Sequence, residues 1–280
     1  MQKKNQIIYA SLKYIALVIL SLITLFPIYF MVVSSFKDTQ DLFKNGIKMV
    51  FEFDNLTIAN YHYTLIDKGQ LYLTWYMNSI IVLLVSTVCS LGLSSMSGYA
   101  LGVYNFKGKN LSFLMMLIVM MIPLEILLIP LYRMVIGMGL IDTKAGSIIP
   151  FVVQPTAMFF FQQYSRSIDK GYMEAARVDG CTEFGIFARI MVPIMKPAFG
   201  AMTILLALRN WNAFLWPMIV FSSESSYTLP VGLASLISSY GNNYQLLIPG
   251  AVLALLPLVI IFLMNQSQFV DGLTSGGIKG

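Results

Sequence analysis

Charge is what this chain has least of. Asp, Glu, Lys and Arg make up 11% of its 280 residues, against 57% that are hydrophobic. A water-soluble domain carries about a quarter charged residues, and a soluble fold of this length could not bury so much apolar surface, so its solvent is lipid. Histidine is nearly missing: His62 stands alone among aromatics in a polar stretch. It has no sequence partner for a metal site or a proton relay and reads as a surface residue. The two cysteines are Cys89, inside an apolar run, and Cys181, in a charged loop; such different settings argue against a disulfide between them. No Gly-x4-Gly-Lys-Ser/Thr stretch occurs, and neither Gly108-Lys109-Asn110 nor Gly277-Ile278-Lys279 is a phosphate cradle. The chain itself is therefore expected to bind neither ATP nor another cofactor. No nucleophile, base and acid can be assembled, which argues against a membrane enzyme. The excess of Lys and Arg (18) over Asp and Glu (13) is spread over short loops between apolar runs, which excludes nucleic acid as a partner.

What is present is six apolar runs, at about residues 14–36, 72–104, 111–132, 145–165, 197–221 and 246–264. Each is near or above the ~20 residues that a helix needs to cross a bilayer. The first follows Lys3, Lys4 and Lys13 but is too long for a signal-peptide core and has no small-x-small cleavage site after it, so it reads as a retained span. The second carries Gly92, Gly98 and Gly102 with Ser94, Ser95 and Ser97, small residues that let helix backbones approach closely in lipid. The third holds Pro123, Glu125 and Pro130, the fourth Pro150 and Pro155, the fifth Arg209, and the sixth Pro249 and Pro257. A closed barrel would show shorter, alternating segments. The fold class is all-α: a single polytopic domain over residues 1–280 with six membrane helices.

Six spans leave both termini on one side. Eleven of the eighteen Lys and Arg fall on the side of the termini, six on the other, and Arg209 lies within a span. The positive-inside rule makes the termini cytoplasmic, together with the loop 166–196 and the tail 265–280. The loops 37–70 and 222–244 are then extracytoplasmic. The second of these is polar, with Glu224 as its one charge, and suits either contact with something outside or a plain tether.

The loop 166–196 has more design than a connection needs. Asp169 can cap a helix beginning near Lys170, and Gly180 can end it. Ala175 and Ala176 form a smooth helical face, and Glu174 and Arg177, three apart, can pair. Thr182 can cap a second helix, in which Phe184, Phe187, Ala188 and Met191 recur at helical spacing as an apolar stripe. Pro193 and Pro197 suit the entry to the fifth span. The pattern fits a short helix lying across the membrane surface, either as a handle for a partner or as a cap on the bundle.

The spacing Glu174-Ala175-Ala176, Gly180, Ile190, Pro193 is similar to the EAA signature of permease subunits in binding-protein-dependent ABC importers, with Val192 where Leu is usual. Met121-Ile122-Pro123, Ile129-Pro130-Leu131-Tyr132 and Gly139-Leu140-Ile141-Asp142-Thr143 resemble the carbohydrate-uptake branch of that family. So does Asn210-Trp211-Asn212-Ala213-Phe214-Leu215-Trp216-Pro217, with Ala213 in place of a common Asp. The ending from Gly272 to Gly280 resembles the tail of the smaller, maltose-type permease subunit, although Gln268 stands near a place where Arg is frequent. The resemblance implies a MetI-like permease fold in a bacterial cell membrane. It implies that Glu174, Ala175, Ala176, Arg177, Asp179, Gly180, Phe184, Ile190 and Pro193 form a coupling helix seated on an ATPase subunit. Gly276, Gly277 and Lys279 of the tail would reach the ATPase subunits; on residues alone, Gly and Ser favour disorder there. The implied partners are a second permease, two ATPase domains holding ATP and Mg, and an extracytoplasmic sugar-binding protein.

Glu125 and Arg209 sit inside otherwise uncharged runs, where a charge costs about 2.5–3.5 kcal/mol on insertion scales. They are expected to line or gate a pathway and to pair across it, or else to form a structural pair inside the bundle. Asn210, Trp211, Asn212 and Trp216 cluster beside Arg209. Amides hydrogen-bond sugar hydroxyls and indoles pack on sugar rings, while Trp near a span end also serves as an interfacial anchor. The expected function is the permease of an ATP-driven sugar importer working by alternating access. The alternatives are the same architecture for a non-sugar solute and, from another class, an ion-coupled carrier, for which the internal repeats are missing.

Overall fold

The computed structural model describes residues 2–38, 56–238 and 241–275. Half of the loop 37–70 and the tail residues Gly276, Gly277 and Lys279 lie outside the described residues. Among the described residues the chain is helical, apart from the two-residue pairing of Ile237–Ser238 with Gly241–Asn242. The helices are α1 (Gln2–Ser35), α2 (Gly69–Val103), α3 (Lys109–Met121), α4 (Leu124–Gly137), α5 (Lys144–Ile148), α6 (Pro155–Arg166) and α7 (Gly171–Val178). They continue as α8 (Glu183–Ile186), α9 (Lys196–Trp211), α10 (Leu215–Val220), α11 (Leu229–Ser235), α12 (Tyr244–Ala254) and α13 (Leu256–Ser275). Short helical turns also occur, among them Ala59–His62 and Tyr63–Asp67.

Among the described residues three stretches are long and apolar enough to cross a membrane: Tyr9–Ser35, Gly69–Val103 and Tyr244–Ser267, the last running through the junction of α12 and α13 at Leu255. The other apolar runs are bent or broken, where the sequence pattern suggested single helices. Pro123 offers no N–H and pushes Ile122 into extended backbone (φ −81°, ψ 118°), so α3 and α4 diverge by 105°. Pro155 acts on Gln154 in the same way (φ −105°, ψ 113°), and the axis turns by 42° there. In the fifth run the helix stops at Trp211 and resumes at Leu215. The Leu208 carbonyl accepts both the Asn212 N–H (3.2 Å) and the Asn212 side-chain amide (2.9 Å), which closes the end of α9 on itself.

Packing divides the chain, read from sequence as one domain, into two units. The first comprises Met1–Leu73 and Leu233–Leu255. Here α1 exposes its apolar side chains along most of its length, from Tyr9 to Tyr29. Its end is tied down by Asn60, 2% exposed, whose amide donates to the carbonyls of Ser35 (3.0 Å) and Lys37 (2.7 Å). Tyr72 donates to the Gly250 carbonyl at 3.0 Å, joining α2 to α12.

Among the described residues of the second unit, Thr74–Gly232 with Leu256–Gly280, two cores stand out. One gathers Tyr99 of α2, Phe161 of α6, Met173 and Ala176 of α7, Ile186, Phe187 and Met191, and Met202 and Leu206 of α9. The other gathers Val135 of α4 with Trp216, Val220 and Phe221, backed by Leu128, Leu140 and Phe151. Small residues set the first core: a Cβ on Gly98 would strike the Met158 carbonyl and Phe161, and one on Gly102 would strike Ser165 and Gln162. α2 and α6 therefore meet backbone to backbone, as small residues allow in lipid.

Candidate functional site

Three interruptions of the apolar runs, at residues 122–123, 152–154 and 212–214, border one cavity of about 260 Å³. Leu124 and Glu125 line it from the start of α4, Phe151 and Gln154 from the second interruption, and Arg209 and Asn210 from the end of α9. Ala213, Phe214 and Trp216 add the third interruption and α10, and Val82 and Ser86 of α2 close another side. Non-helical backbone at membrane depth is tolerated where it lines a cavity or is buried in protein, since its polar groups need partners.

Those partners are present. Gln154, 2% exposed, donates through Nε2 to the Phe151 carbonyl at 2.8 Å. Its backbone N–H donates to Ser94 Oγ at 3.1 Å. Ser90 Oγ, one turn away on α2, donates to the Phe151 carbonyl at 3.3 Å. Arg209 donates from Nη1 to Gln154 Oε1. Asn210 donates to Thr87 Oγ1 at 3.1 Å, and Trp216 Nε1 donates to the Gly146 carbonyl at 3.2 Å while its ring stands edge-on to Phe151.

Of the sequence-predicted pathway residues, Glu125, Arg209, Asn210 and Trp216 line this cavity. Trp211 and Asn212 do not: Trp211 is buried edge-on to Tyr76, and Asn212 turns back on its own helix. The expected Glu125–Arg209 pair is not made. Among the described residues no ion pair joins them, and Gln154 takes the guanidinium instead. Gln154 escaped notice because it carries no charge. The available signal was an amide flanked by Pro155 in an apolar run, a polar group that must find a partner when buried.

The second cluster is the loop 166–196. Asp169 Oδ1 accepts from the Gly171 N–H at 2.8 Å, and Gly180 adopts φ +78° beyond the end of α7. Thr182 Oγ1 accepts from the Gly185 N–H at 3.1 Å at the start of α8. Met173 and Ala176 face the core, while Tyr172, Glu174, Ala175 and Val178 face outward. A shallow depression lies beside them, lined by Tyr172, Ala175, Asp179 and Ile190. Two local expectations are corrected. Arg177 pairs not with Glu174 but with Glu183, Nε to Oε1 at 2.7 Å and Nη2 to Oε2 at 3.2 Å. The apolar stripe is also shifted: Ile186, Phe187 and Met191 are buried, while Phe184 (67% exposed) and Ala188 point outward. A π-helical turn at Phe187–Met191 changes the phase of the helix. Pro193 is exposed and Ile190 half-buried.

Electrostatics reinforce this cluster. The Arg177 guanidinium and the Tyr104 hydroxyl (2.7 Å) hold the Glu183 carboxyl below the usual range. Glu183 in turn raises Arg177. Burial, its contact with Tyr99 and its bond to Glu183 push the Tyr104 phenol up.

A third cluster ties α4 to α10. Asp142, in the left-handed region at φ 57°, donates its N–H to the Val220 carbonyl at 3.0 Å. Its carboxylate accepts from the Ser222 and Ser223 N–H groups (2.9 and 3.2 Å) and from Ser223 Oγ (2.6 Å). Desolvation opposes its ionisation, but the bonds from Ser223 and Ser222 prevail and lower its pKa.

Residues 91–270 match the sequence profile of a family described as binding-protein-dependent transport system inner membrane component. The chain is 49% identical over 261 residues to the arabinooligosaccharides transport system permease protein AraQ of Bacillus subtilis, covering 93% of this chain and 92% of that one. It is 45% identical over 280 residues, the whole of both chains, to the protein of the same name from Halalkalibacterium halodurans. It is 31% identical over 268 residues to the lactose transport system permease protein LacG of Rhizobium radiobacter, covering 95% of each. Among solved structures it resembles a bacterial ABC transporter involved in the import of the acidic polysaccharide alginate. The TM-score is 0.81 at 23% identity, over 93% of this chain and 96% of that one.

Proposed function

The chain belongs to the family of inner membrane components of binding-protein-dependent transport systems, and from that premise we propose how it works and what it carries. It is a multi-pass permease subunit of an ABC importer. Its cargo is a neutral oligosaccharide of the arabinose type, as the names of the two AraQ relatives suggest. It pairs with a second permease, two ATPase domains that hold ATP and Mg, and an extracytoplasmic sugar-binding protein. Both termini and the loop 166–196 face the cytoplasm, and the exposed face of α7 around Glu174, Ala175 and Val178 seats on the ATPase. The Gly276, Gly277 and Lys279 tail extends toward the same subunits.

The observation that carries this reading is the convergence of three helix interruptions on one cavity, whose mainly apolar wall carries Ser86, Glu125, Gln154, Arg209 and Asn210, in a unit that holds two separate cores. One core contains the ATPase-facing loop; the other contains α4 and α10. Unwound segments bend at low cost where continuous helix does not, so the two cores can tilt against each other about the interruptions. ATP closes the ATPase dimer, α7 and α8 move with it, and the cavity exchanges one side of the membrane for the other. A sugar equally bound in both states would shift nothing, so nucleotide must supply the bias. Asn210, Gln154, Ser86 and Glu125 offer hydrogen bonds to hydroxyls, and Trp216, Phe214 and Phe151 offer ring faces.

The test is reconstitution of the complete importer in proteoliposomes with arabino-oligosaccharide as the probe. ATP-dependent accumulation is expected, with loss of assembly in Ala175→Arg. Accumulation without the ATPase, or collapse with an ion gradient alone, would overturn the proposal.

A further inference from the structure

Two helices of the loop 166–196 are fastened to the end of α2 as well as to α9. Glu183 is the shared point. Its carboxylate accepts two bonds from Arg177 of α7 and one from the Tyr104 hydroxyl, just past the end of α2. The surrounding contacts repeat the pattern. Tyr99 of α2 donates to Met173 Sδ of α7 at 3.4 Å and packs on Phe187, with ring centroids 5.2 Å apart. Tyr99 and Tyr104 are edge to face at 5.5 Å, and Lys109 Nζ fixes the Tyr104 backbone by donating to its carbonyl at 2.7 Å.

From that joint α2 runs as one unbroken helix past the cavity, where it contributes Ser86 and Val82. One to two turns further it reaches the segment after α10. Asn78 donates to the carbonyls of Ser225 (2.8 Å) and Tyr227 (2.9 Å), and Trp75 Nε1 donates to the Glu224 carbonyl at 2.8 Å. A helix that touches the loop, the cavity wall and the far segment without interruption is stiff where the other routes bend. The direct route through α9 changes direction by 79° at its start and is broken at residues 212–214.

We propose that Glu183 is a positioning residue that links the ATPase-facing loop to α2, so that α2 carries the loop's movement to the cavity. The proposal rests on the reading of that loop as the ATPase seat. Exposed ion pairs contribute little to stability, so a purely structural part for Glu183 would leave coupling untouched, whereas a joint sets how much movement is delivered per nucleotide.

The experiment uses the complete importer in proteoliposomes and reads the ratio of sugar accumulated to ATP hydrolysed. Glu183→Gln and Tyr104→Phe are each expected to lower that ratio about fivefold or more, and the double variant to be no worse than either alone. An unchanged ratio, a parallel fall of uptake and hydrolysis, or additive effects would overturn the proposal. As a second measurement, cysteines replacing Tyr104 and Glu183 in a Cys181→Ser background are bridged with a short bis-maleimide. The unbridged form should show the lowered ratio and bridging should raise it, as a joint that stays closed through the cycle requires; a ratio that bridging leaves low or lowers further refutes it. Ala175→Arg separates the two levels. If it leaves assembly intact, the ATPase-seat reading falls and takes this proposal with it. If it blocks assembly while Glu183→Gln keeps a normal ratio, only the joint falls.

Discussion

The loop 166–196 and the cavity are built in opposite ways. The loop is local: the Asp169 carboxylate turned onto the Gly171 N–H, a cap at Thr182, a left-handed Gly180 and a paired Arg177–Glu183 all lie between residues 169 and 185. The cavity is assembled from α2 and from three interruptions spread between residues 122 and 214, and its polarity comes from unwound backbone and from amides and hydroxyls as much as from charge. A surface for gripping needs charge and shape in contact with water. A pathway through lipid needs polar groups that are satisfied when empty and able to exchange partners when filled.

Perturbations should separate the two regions by size of effect. The largest is expected where helices touch through glycine. Gly98→Leu drives a side chain into the Met158 carbonyl and Phe161, and overpacking of this kind costs about 1–3 kcal/mol or more. Thermal unfolding in detergent should show it, with loss of the loop and the cavity together. Next is Gln154→Leu, which strips Arg209 of its partner and leaves a cation at membrane depth. A cost of about 2–3 kcal/mol and a severe loss of sugar uptake are expected. Because Gln154, not Glu125, holds the guanidinium, exchanging the charges (Glu125→Arg with Arg209→Glu) should not rescue uptake; full rescue would show that those two pair during transport.

Asp142→Ala follows, at about 1–3 kcal/mol for three lost bonds to a carboxylate. The folded pKa of Asp142 is lowered, so its contribution is complete above the ordinary carboxylate range near 3.9 and fades as pH falls through the lower folded value. Melting temperature against pH should carry that acid-side loss in the unaltered protein and lack it in Asp142→Asn. The smallest effect on stability belongs to Glu183→Gln, in a pair that is exposed to solvent. Its melting temperature should match the unaltered protein even where its coupling ratio does not.

The contrast also explains what could be read without coordinates. Residues 169–193 announced the Thr182 cap and the Gly180 turn, because the causes lie within one or two helical turns; α7 begins instead from Lys170 with no side-chain cap. What failed there was the choice of buried face: Ile186 and Phe187 turn inward together and leave Phe184 outside, and residue types alone do not fix the rotation of so short a helix. The apolar runs were visible from hydropathy, and Pro123 and Pro155 marked two of the interruptions. That all three would meet was not visible, since it depends on how α2, α4, α6 and α9 pack. Arg209 was found because it is charged; its partner Gln154 was not, because a neutral amide among apolar residues declares itself only when its burial is known.

The most direct measurement places a single cysteine at Ser86 or Ala213, both on the cavity wall, in the reconstituted importer freed of its native cysteines. Labelling by a membrane-impermeant thiol reagent from each side is then followed with and without ATP. The side of access should switch on ATP binding, and Ala175→Arg should abolish the switch. Access from the same side in both states, or a switch that persists with the loop unable to seat on the ATPase, would contradict the claim that movement at residues 166–196 governs the cavity.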